Sequence, residues 1–402
     1  MSGRARVEAI LKRVAEVEEL KPCEIRANLN VFNGDGVSSE CFRGSIQSKD
    51  ANGAKMIKVF IKVKPPKQME VTGAAFINEM NFYSRIHPEL DRFQRLRGVE
   101  DPFDKIPKFF CGSLEESREY LAFTDLLAEN YALFEKSQPL DEKHLQAIFA
   151  TYGKFHALTF AYKASNPEKY QEITAPAIDI LSTFLESVSK EIEGTFQTAL
   201  EYIKETNQQG ADKAQMFLDD FGPSRLRGCK YEGQYSAWIH GDCWSNNMLF
   251  KYLANGDLED IKLLDHQCGR DSTPVHDLSY CFYSGASKPD FDKLDYYLDL
   301  YYHSFSKFAK ELGADPDKML PLEALKNDWK KYALMGIYMA IVAGSLKFMA
   351  KKEFQDRMAE TPKDQDLIAN ILQMIKQSRE HPSWKKTLAD ILVHAVEYGI
   401  IN

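Results

Sequence analysis

W-I-H-G-D-C-W-S-N-N-M-L-F, running from Trp238 to Phe250, sets His240, Asp242 and Asn247 in the order H-x-D-x-x-x-x-N. At this spacing an aspartate can accept the proton of a substrate hydroxyl, while the asparagine five residues on turns back to hold a metal ion. The chemistry needs both residue types at that separation. Asp, Asn and Ser also cap and turn ordinary loops between hydrophobic runs, so the surrounding sequence has to decide between the two readings.

Downstream, Met248 to Tyr252 and Leu258 to Leu264 are strand-like and are separated by a turn containing Asn255-Gly256, which predicts a hairpin. Its two ends meet, so Asn247 is expected beside Asp265. Two protein oxygens could then converge on one ion. Magnesium is commonly held by few protein oxygens together with phosphate oxygens and water, which suits a metal–nucleotide complex better than an all-protein cage.

Upstream, Val7, Ile10, Leu11, Val14, Val17 and Leu20 recur at helical spacing until Lys21-Pro22 breaks the pattern. Strand-like runs follow at Ser39 to Ile46 and Lys55 to Lys64. In the second run Ile57, Val59, Ile61 and Val63 share one face, and Lys58, Phe60, Lys62 and Lys64 share the other. A helix is expected over Gly73 to Ile86, with Phe76, Met80 and Tyr83 as its apolar stripe and Glu79 at the rim. A strand lysine oriented by a helix carboxylate is how nucleotide phosphates are commonly held, which makes Glu79 the obvious partner. Strand parity alone does not choose among Lys58, Lys62 and Lys64, each of which could equally belong to a solvated face. The loop Asn33 to Ser39, with Gly34 and Gly36, could bring backbone N–H groups to phosphate oxygens or could be a simple turn. After an apolar strand at Leu121 to Leu126 the pattern becomes long and helical, notably at Leu145 to Tyr162. The expected fold is therefore α+β and bilobal. Residues 1–125 would form a small lobe with an antiparallel sheet and the glutamate helix, and residues 126–402 a larger, mainly helical lobe.

Composition sets the outer limits. The 402 residues are 44% hydrophobic and 27% charged, values of a folded protein with more than one ordinary core. A net charge of -8 argues against broad binding to nucleic acid or an anionic membrane. The seven scattered cysteines include no C-x-x-C pair and indicate neither a disulfide framework nor a zinc site, so a cytoplasmic setting is expected. Charges interrupt the first helix as they would not a signal peptide. The most apolar stretch, Tyr332 to Leu346, is broken by Gly336, Gly344 and Ser345 and predicts a buried helix rather than a membrane span, although such a stripe can also line an apolar pocket. His156 shares an apolar helical face with Phe149, Tyr152 and Phe160 and is expected to be a core histidine outside the site. No D-F-G to A-P-E activation segment follows Asp265, which disfavours a protein substrate.

These marks together resemble the ecdysteroid kinase-like family, also called choline-kinase-like, of the protein-kinase-like superfamily that includes aminoglycoside phosphotransferases and choline kinases. The resemblance is carried by G-D-G-V-S-S at Gly34 to Ser39, F-I-K-V at Phe60 to Val63, F-I-N-E-M-N-F-Y at Phe76 to Tyr83, F-H-A at Phe155 to Ala157, H-G-D-C-W-S-N-N at His240 to Asn247, L-L-D-H-Q at Leu263 to Gln267 and H-D-L at His276 to Leu278. It implies a small-molecule kinase using ATP and Mg2+, with Lys62 on the phosphates and Glu79 as its partner. It further implies Asp242 as catalytic base, Asn247 and Asp265 as metal ligands, and His240 and Asp277 as structural support for the loop. Gly34, Asp35, Gly36, Ser38 and Ser39 would cradle phosphate, and Phe123, Thr124, Asp125 and Leu126 would meet the adenine. Two departures stand out: Gly36 where relatives often carry Asn, and Thr124-Asp125-Leu126 in place of Glu-Asp-Leu. The acceptor would be an alcohol on a small molecule, an ecdysteroid or sterol-like compound by resemblance, with a choline- or aminoglycoside-type acceptor as the alternative. Tyr280 to Tyr283, Tyr301 to Phe305 and the helix near Tyr338 could form its wall or could be helical core. A catalytically inactive nucleotide-binding scaffold is the reading from another class.

Overall fold

The alternating run that carries Lys58, Lys62 and Lys64 is the central strand of a five-stranded antiparallel sheet in the computed structural model, which describes residues 3–29, 39–50, 53–64, 70–135, 138–205, 207–221, 229–348, 367–379 and 381–401. The strands are β1 (Pro22–Asn28), β2 (Glu40–Asp50), β3 (Gly53–Val63), β4 (Phe109–Ser113) and β5 (Tyr120–Thr124), in the order β1-β2-β3-β5-β4. Alternation does what it should. Val59, Ile61 and Val63 are buried against Val7, Ile10, Leu11 and Val14 of the first helix, Gly3–Val17. Withdrawing each such side chain from water contributes roughly 1.5–3 kcal/mol. The other face of β3 turns Phe60 and Lys62 toward a cleft.

β1 departs from the sequence expectation, which placed no strand before Ser39. Its proline is the first residue of an edge strand, where no ladder hydrogen bond is lost. Its apolar positions Ile25 and Ala27 are only partly buried, so the pattern is weak.

Beyond β3 a helix spans Glu70–Asn81, passes through a π-helical turn at Phe82–Ile86 and continues as His87–Leu96 with Pro88 in its first turn. Phe76, Phe82 and Tyr83 from this stretch join the large core of the helical body rather than the small core beneath the sheet.

The helical body is organised by Glu142–Ser165, in which Leu145, Ile148, Phe149, Tyr152 and Phe155 are all buried. Around it lie Pro274–Gly285, Leu294–Glu311 and Leu322–Phe348. Gly336 explains one break in the apolar run. A Cβ there would sit 2.1 Å from the Ser279 hydroxyl oxygen and 2.4 Å from the Tyr280 nitrogen, so only glycine lets the two helices approach this closely. Two small ribbons finish the fold: β6 (Tyr131–Leu133) beside the hairpin β8 (Met248–Tyr252) and β9 (Leu258–Leu263), and β7 (Ala237–Ile239) against β10 (Arg270–Ser272). The architecture is α+β and bilobal, as expected. Among the described residues no helix is long and apolar enough to cross a membrane.

Candidate active site

β7 delivers the chain to His240, and the loop that follows is fastened at its root. Gly241 has φ +84°, and a Cβ there would lie 2.1 Å from the Cys268 carbonyl oxygen, so the loop turns over the segment that ends at Cys268 only with glycine at this position. The His240 and Gly241 N–H groups each donate to one oxygen of the Asp277 carboxylate, both at 2.8 Å. Asp277 sits fully buried in the first turn of Pro274–Gly285. Burial alone would raise its pKa, but the hydrogen bonds from His156 and Cys243 outweigh it and hold the carboxyl well below the usual range. His156 reaches Asp277 through Nε2 at 3.1 Å and Tyr301 through Nδ1 at 3.1 Å. It is a satisfied core histidine, as expected, and it also holds the residue that holds the loop.

His240 ties the loop to the hairpin. Its Nε2 lies 2.7 Å from the Leu264 carbonyl, and its Nδ1 accepts from the Asp242 N–H at 3.2 Å. Burial lowers its pKa and keeps the ring neutral, the form those two bonds require. At the other end of the loop, Asn247 Nδ2 donates to the Asp242 carbonyl at 3.0 Å, leaving the amide oxygen as its acceptor atom.

Met248 pairs with Leu263 across the hairpin, and the Leu264 N–H donates to the Asn247 carbonyl at 2.9 Å, so Asn247 and Asp265 meet as expected. Asp265 adopts φ 64°, ψ 59°, a left-handed conformation that aspartate tolerates better than most side chains. Its carboxylate accepts from Lys62 Nζ at 2.7 Å, and Glu79 accepts from the same ammonium at 2.6 Å. The structure thus separates the lysines that strand parity left equivalent. Lys62 is buried in the cleft, Lys64 pairs with Glu119 at 2.9 Å, and Lys58 is exposed. Burial disfavours the Lys62 cation, but Asp265 and Glu79 more than reverse it and raise the pKa. Glu79 is itself raised by burial, with Asp265 adding to the effect and Lys62 opposing it.

The Asp242 carboxylate stands free of any cation among the described partners. Tyr280 Oη donates to one oxygen and Gln267 Nε2 to the other, each at 3.3 Å. Burial and then the charge of Asp265 push its pKa up to about 6, against the hydrogen bonds from Gln267, Asn247 and Tyr280. A carboxylate poised there can accept a proton near neutral pH.

These groups line one cleft of about 380 Å³. Ser39, Phe123, Thr124, Asp125 and Leu126 line it as expected, whereas Gly34, Asp35, Gly36 and Ser38 lie outside the described residues. The Thr124 and Asp125 N–H groups are committed to the Lys108 and Lys58 carbonyls, at 2.9 and 3.1 Å. The Asp125 carboxylate meets Arg43 Nε at 3.3 Å, a contact that sequence reasoning missed.

A sequence model of the ecdysteroid kinase-like family matches residues 33–314, a span that contains every site residue described so far. The chain belongs to this family. No curated protein matches the sequence. Among solved structures, the GDP and kanamycin complex of APH(2")-IIia overlaps 93% of this chain and 99% of its own at 9% identity, with a TM-score of 0.39. An aminoglycoside-3'-phosphotransferase of type VIII overlaps 83% and 98% at 13% identity, with a TM-score of 0.32. Superpositions this loose carry nothing further.

The inner half of the cleft in this ecdysteroid kinase-like chain is built differently. Leu181 and Phe184 of helix Ile180–Lys204, Met339, Val342 and Leu346 of Leu322–Phe348, and Ile371 of Leu367–Ser378 line it together with Tyr280. The apolar run at Tyr332 to Leu346 therefore serves both as core and as cleft wall. Of the other aromatic segments weighed as a wall, Tyr301 and Phe305 are core, Tyr283 Oη bonds His394 Nδ1 at 3.1 Å, and Tyr338 packs on Phe196 and Phe221. Sequence reasoning singled out neither Tyr280 nor Gln267 as a partner of Asp242, although both stand within stretches it quoted.

Proposed function

We propose that the chain is a kinase that transfers the γ-phosphate of ATP to an alcohol hydroxyl of a small apolar molecule. The observation that carries this reading is the convergence of the Lys62–Glu79–Asp265 triad with Asp242, which meets no cation among the described residues, in one cleft. Lys62 would hold nucleotide phosphates, and Glu79 would keep it aimed. The donor set fits magnesium: the Asn247 amide oxygen and the Asp265 carboxylate supply two hard oxygens and leave positions for phosphate and water. When bound, the ion would neutralise charge on the phosphates.

Asp242 would orient the acceptor hydroxyl and take its proton, with Tyr280 and Gln267 fixing the carboxylate and the Asp277 anchor fixing the loop. No covalent nucleophile is required, since positioning and electrostatics provide most of the acceleration in such reactions. For the acceptor, the lining favours a sterol-like alcohol, an ecdysteroid included, over an aminoglycoside. A polycation needs several spare carboxylates, and here Glu79 and Asp265 are occupied by Lys62 and Asp125 by Arg43, which leaves Asp242.

The test is transfer of labelled phosphate from ATP with magnesium across a panel of sterol-like, choline-like and aminoglycoside alcohols. Phosphorylation of a sterol-like alcohol is the expected result. Tight nucleotide binding with no acceptor phosphorylated would instead favour the inactive scaffold, against which the retention of Lys62, Asp242, Asn247 and Asp265 speaks.

A further inference from the structure

The helix that carries Glu79 also carries two buried asparagines, Asn78 and Asn81, which are 0% and 6% exposed. Three hydrogen bonds use the Asn78 amide. Its Nδ2 donates to the Ile178 carbonyl at 2.8 Å and to the Gln267 carbonyl at 2.9 Å, and its Oδ1 accepts from the Ile178 N–H at 2.8 Å. Asn81 Nδ2 donates to the Ile173 carbonyl at 2.9 Å. The two side chains lie on one face of the helix, three residues apart. Both ends of the segment Ile173–Ile178 are thus pinned to the glutamate helix.

What these bonds join decides what they can do. Ile173–Ile178 leads directly into helix Ile180–Lys204, whose N-terminus is capped by Asp179 and whose first turns put Leu181 and Phe184 into the inner half of the cleft. Gln267, bonded through its carbonyl to Asn78, donates its side-chain amide to Asp242. Glu79, the next residue along from Asn78, holds Lys62. One buried amide therefore stands between the group on the lysine, the partner of the carboxylate and the start of the apolar wall. A simple fastener between helix and loop would need the Ile178 bonds but not the Gln267 bond.

We propose that Asn78 and Asn81 are positioning residues that couple the two halves of the cleft, so that nucleotide bound at Lys62 orders the apolar wall at residues 173–184 before an acceptor arrives. The inference rests on the kinase reading above and adds to it a direction of communication. Energetically it is a coupling between two binding regions through a shared packed element.

The test is hydrogen exchange on the full chain, with and without a non-hydrolysable ATP analogue and magnesium, with analogue binding measured separately by calorimetry. In the wild type, exchange across residues 173–184 should slow roughly tenfold on adding the analogue, within the usual span of such couplings, while helix Pro382–Glu397 stays unchanged. Asn78→Ala should still bind the analogue but lose the nucleotide-dependent slowing, and Asn81→Ala should lose part of it. A purely structural role would instead raise exchange equally with and without nucleotide. The proposal is overturned by wild-type protein that binds the analogue without protecting 173–184, or by Asn78→Ala that retains the full effect. Should Asn78→Ala fail to fold, full nucleotide-dependent protection in Asn81→Ala overturns it. Wild-type protein that binds no analogue overturns the kinase reading, and the coupling with it.

Discussion

The two halves of the cleft are built on opposite principles. Toward the sheet, ionic side chains are tied to one another: Lys62 to Glu79 and Asp265, and Arg43 to Asp125. Toward the helical body, Leu181, Phe184, Met339, Val342, Leu346 and Ile371 offer no charge. Only Asp242 belongs to both, held by an aromatic hydroxyl from one side and an amide from the other. The contrast teaches that this site fixes its charges before any ligand arrives and leaves selection of the acceptor to shape.

The most severe way to break the comparison is to remove its shared member. Asp242→Asn should lower phosphate transfer by about 10²–10⁴-fold, the range for a lost general base, while ATP binding measured by calorimetry stays close to wild type. Full activity in this variant would sink the base assignment. Next in size is the ionic half. Lys62→Met leaves the buried Glu79 carboxylate without its cation, which should cost on the order of 3–5 kcal/mol in urea unfolding and weaken nucleotide binding. A stability loss below about 1 kcal/mol would mean the pair is solvated, as surface pairs are.

The apolar half should respond in the opposite register. Phe184→Ala should raise KM for the acceptor by about 1–3 kcal/mol and leave KM for ATP unchanged, as read from two-substrate kinetics. An equal rise in both would show that the halves are not separate. The smallest effect concerns pH. Because the Asp242 carboxyl titrates at about 6 and must be ionised to accept a proton, activity should fall as pH drops through about 6. Asp265 and Cys268 also face this carboxylate, and Asp265 contributes to the rise. Tyr280→Phe removes a donor that favours the ionised form, so the acid limb of kcat should move to higher pH. A shift to lower pH, or none, would remove Tyr280 from the hydrogen-bond set.

The same contrast explains what was legible in the sequence. Asp242, Asn247, Asp265 and Glu79 could be read because charged and amide side chains at fixed spacing carry few meanings, and the Asn255-Gly256 turn alone sufficed to bring Asn247 to Asp265. Lys62 could not be separated from Lys58 and Lys64 by strand parity; burial and the two carboxylates around it do that. The apolar wall was legible only as one of two readings, since Met339, Val342 and Leu346 look like any core helix, and two of its three helices lie beyond residue 314. Asn78 was hidden for a related reason. Its partners are main-chain groups 100 and 189 residues away, and backbone leaves no signature in a motif. β1 was missed because an edge strand needs little apolar alternation.

Covalent order and mechanical order diverge at the glutamate helix. It is encoded among the first 125 residues, yet Phe76 is in the large core and Asn78 and Asn81 bind segments of the helical body. The helix is instead shared between the lobes: Tyr83, just beyond it, packs on Phe109 and Phe123 of the sheet, while its asparagines hold the helical body. Spin labels on helix Glu70–Asn81 and at the start of Ile180–Lys204 should accordingly show a distance distribution that narrows when the ATP analogue binds.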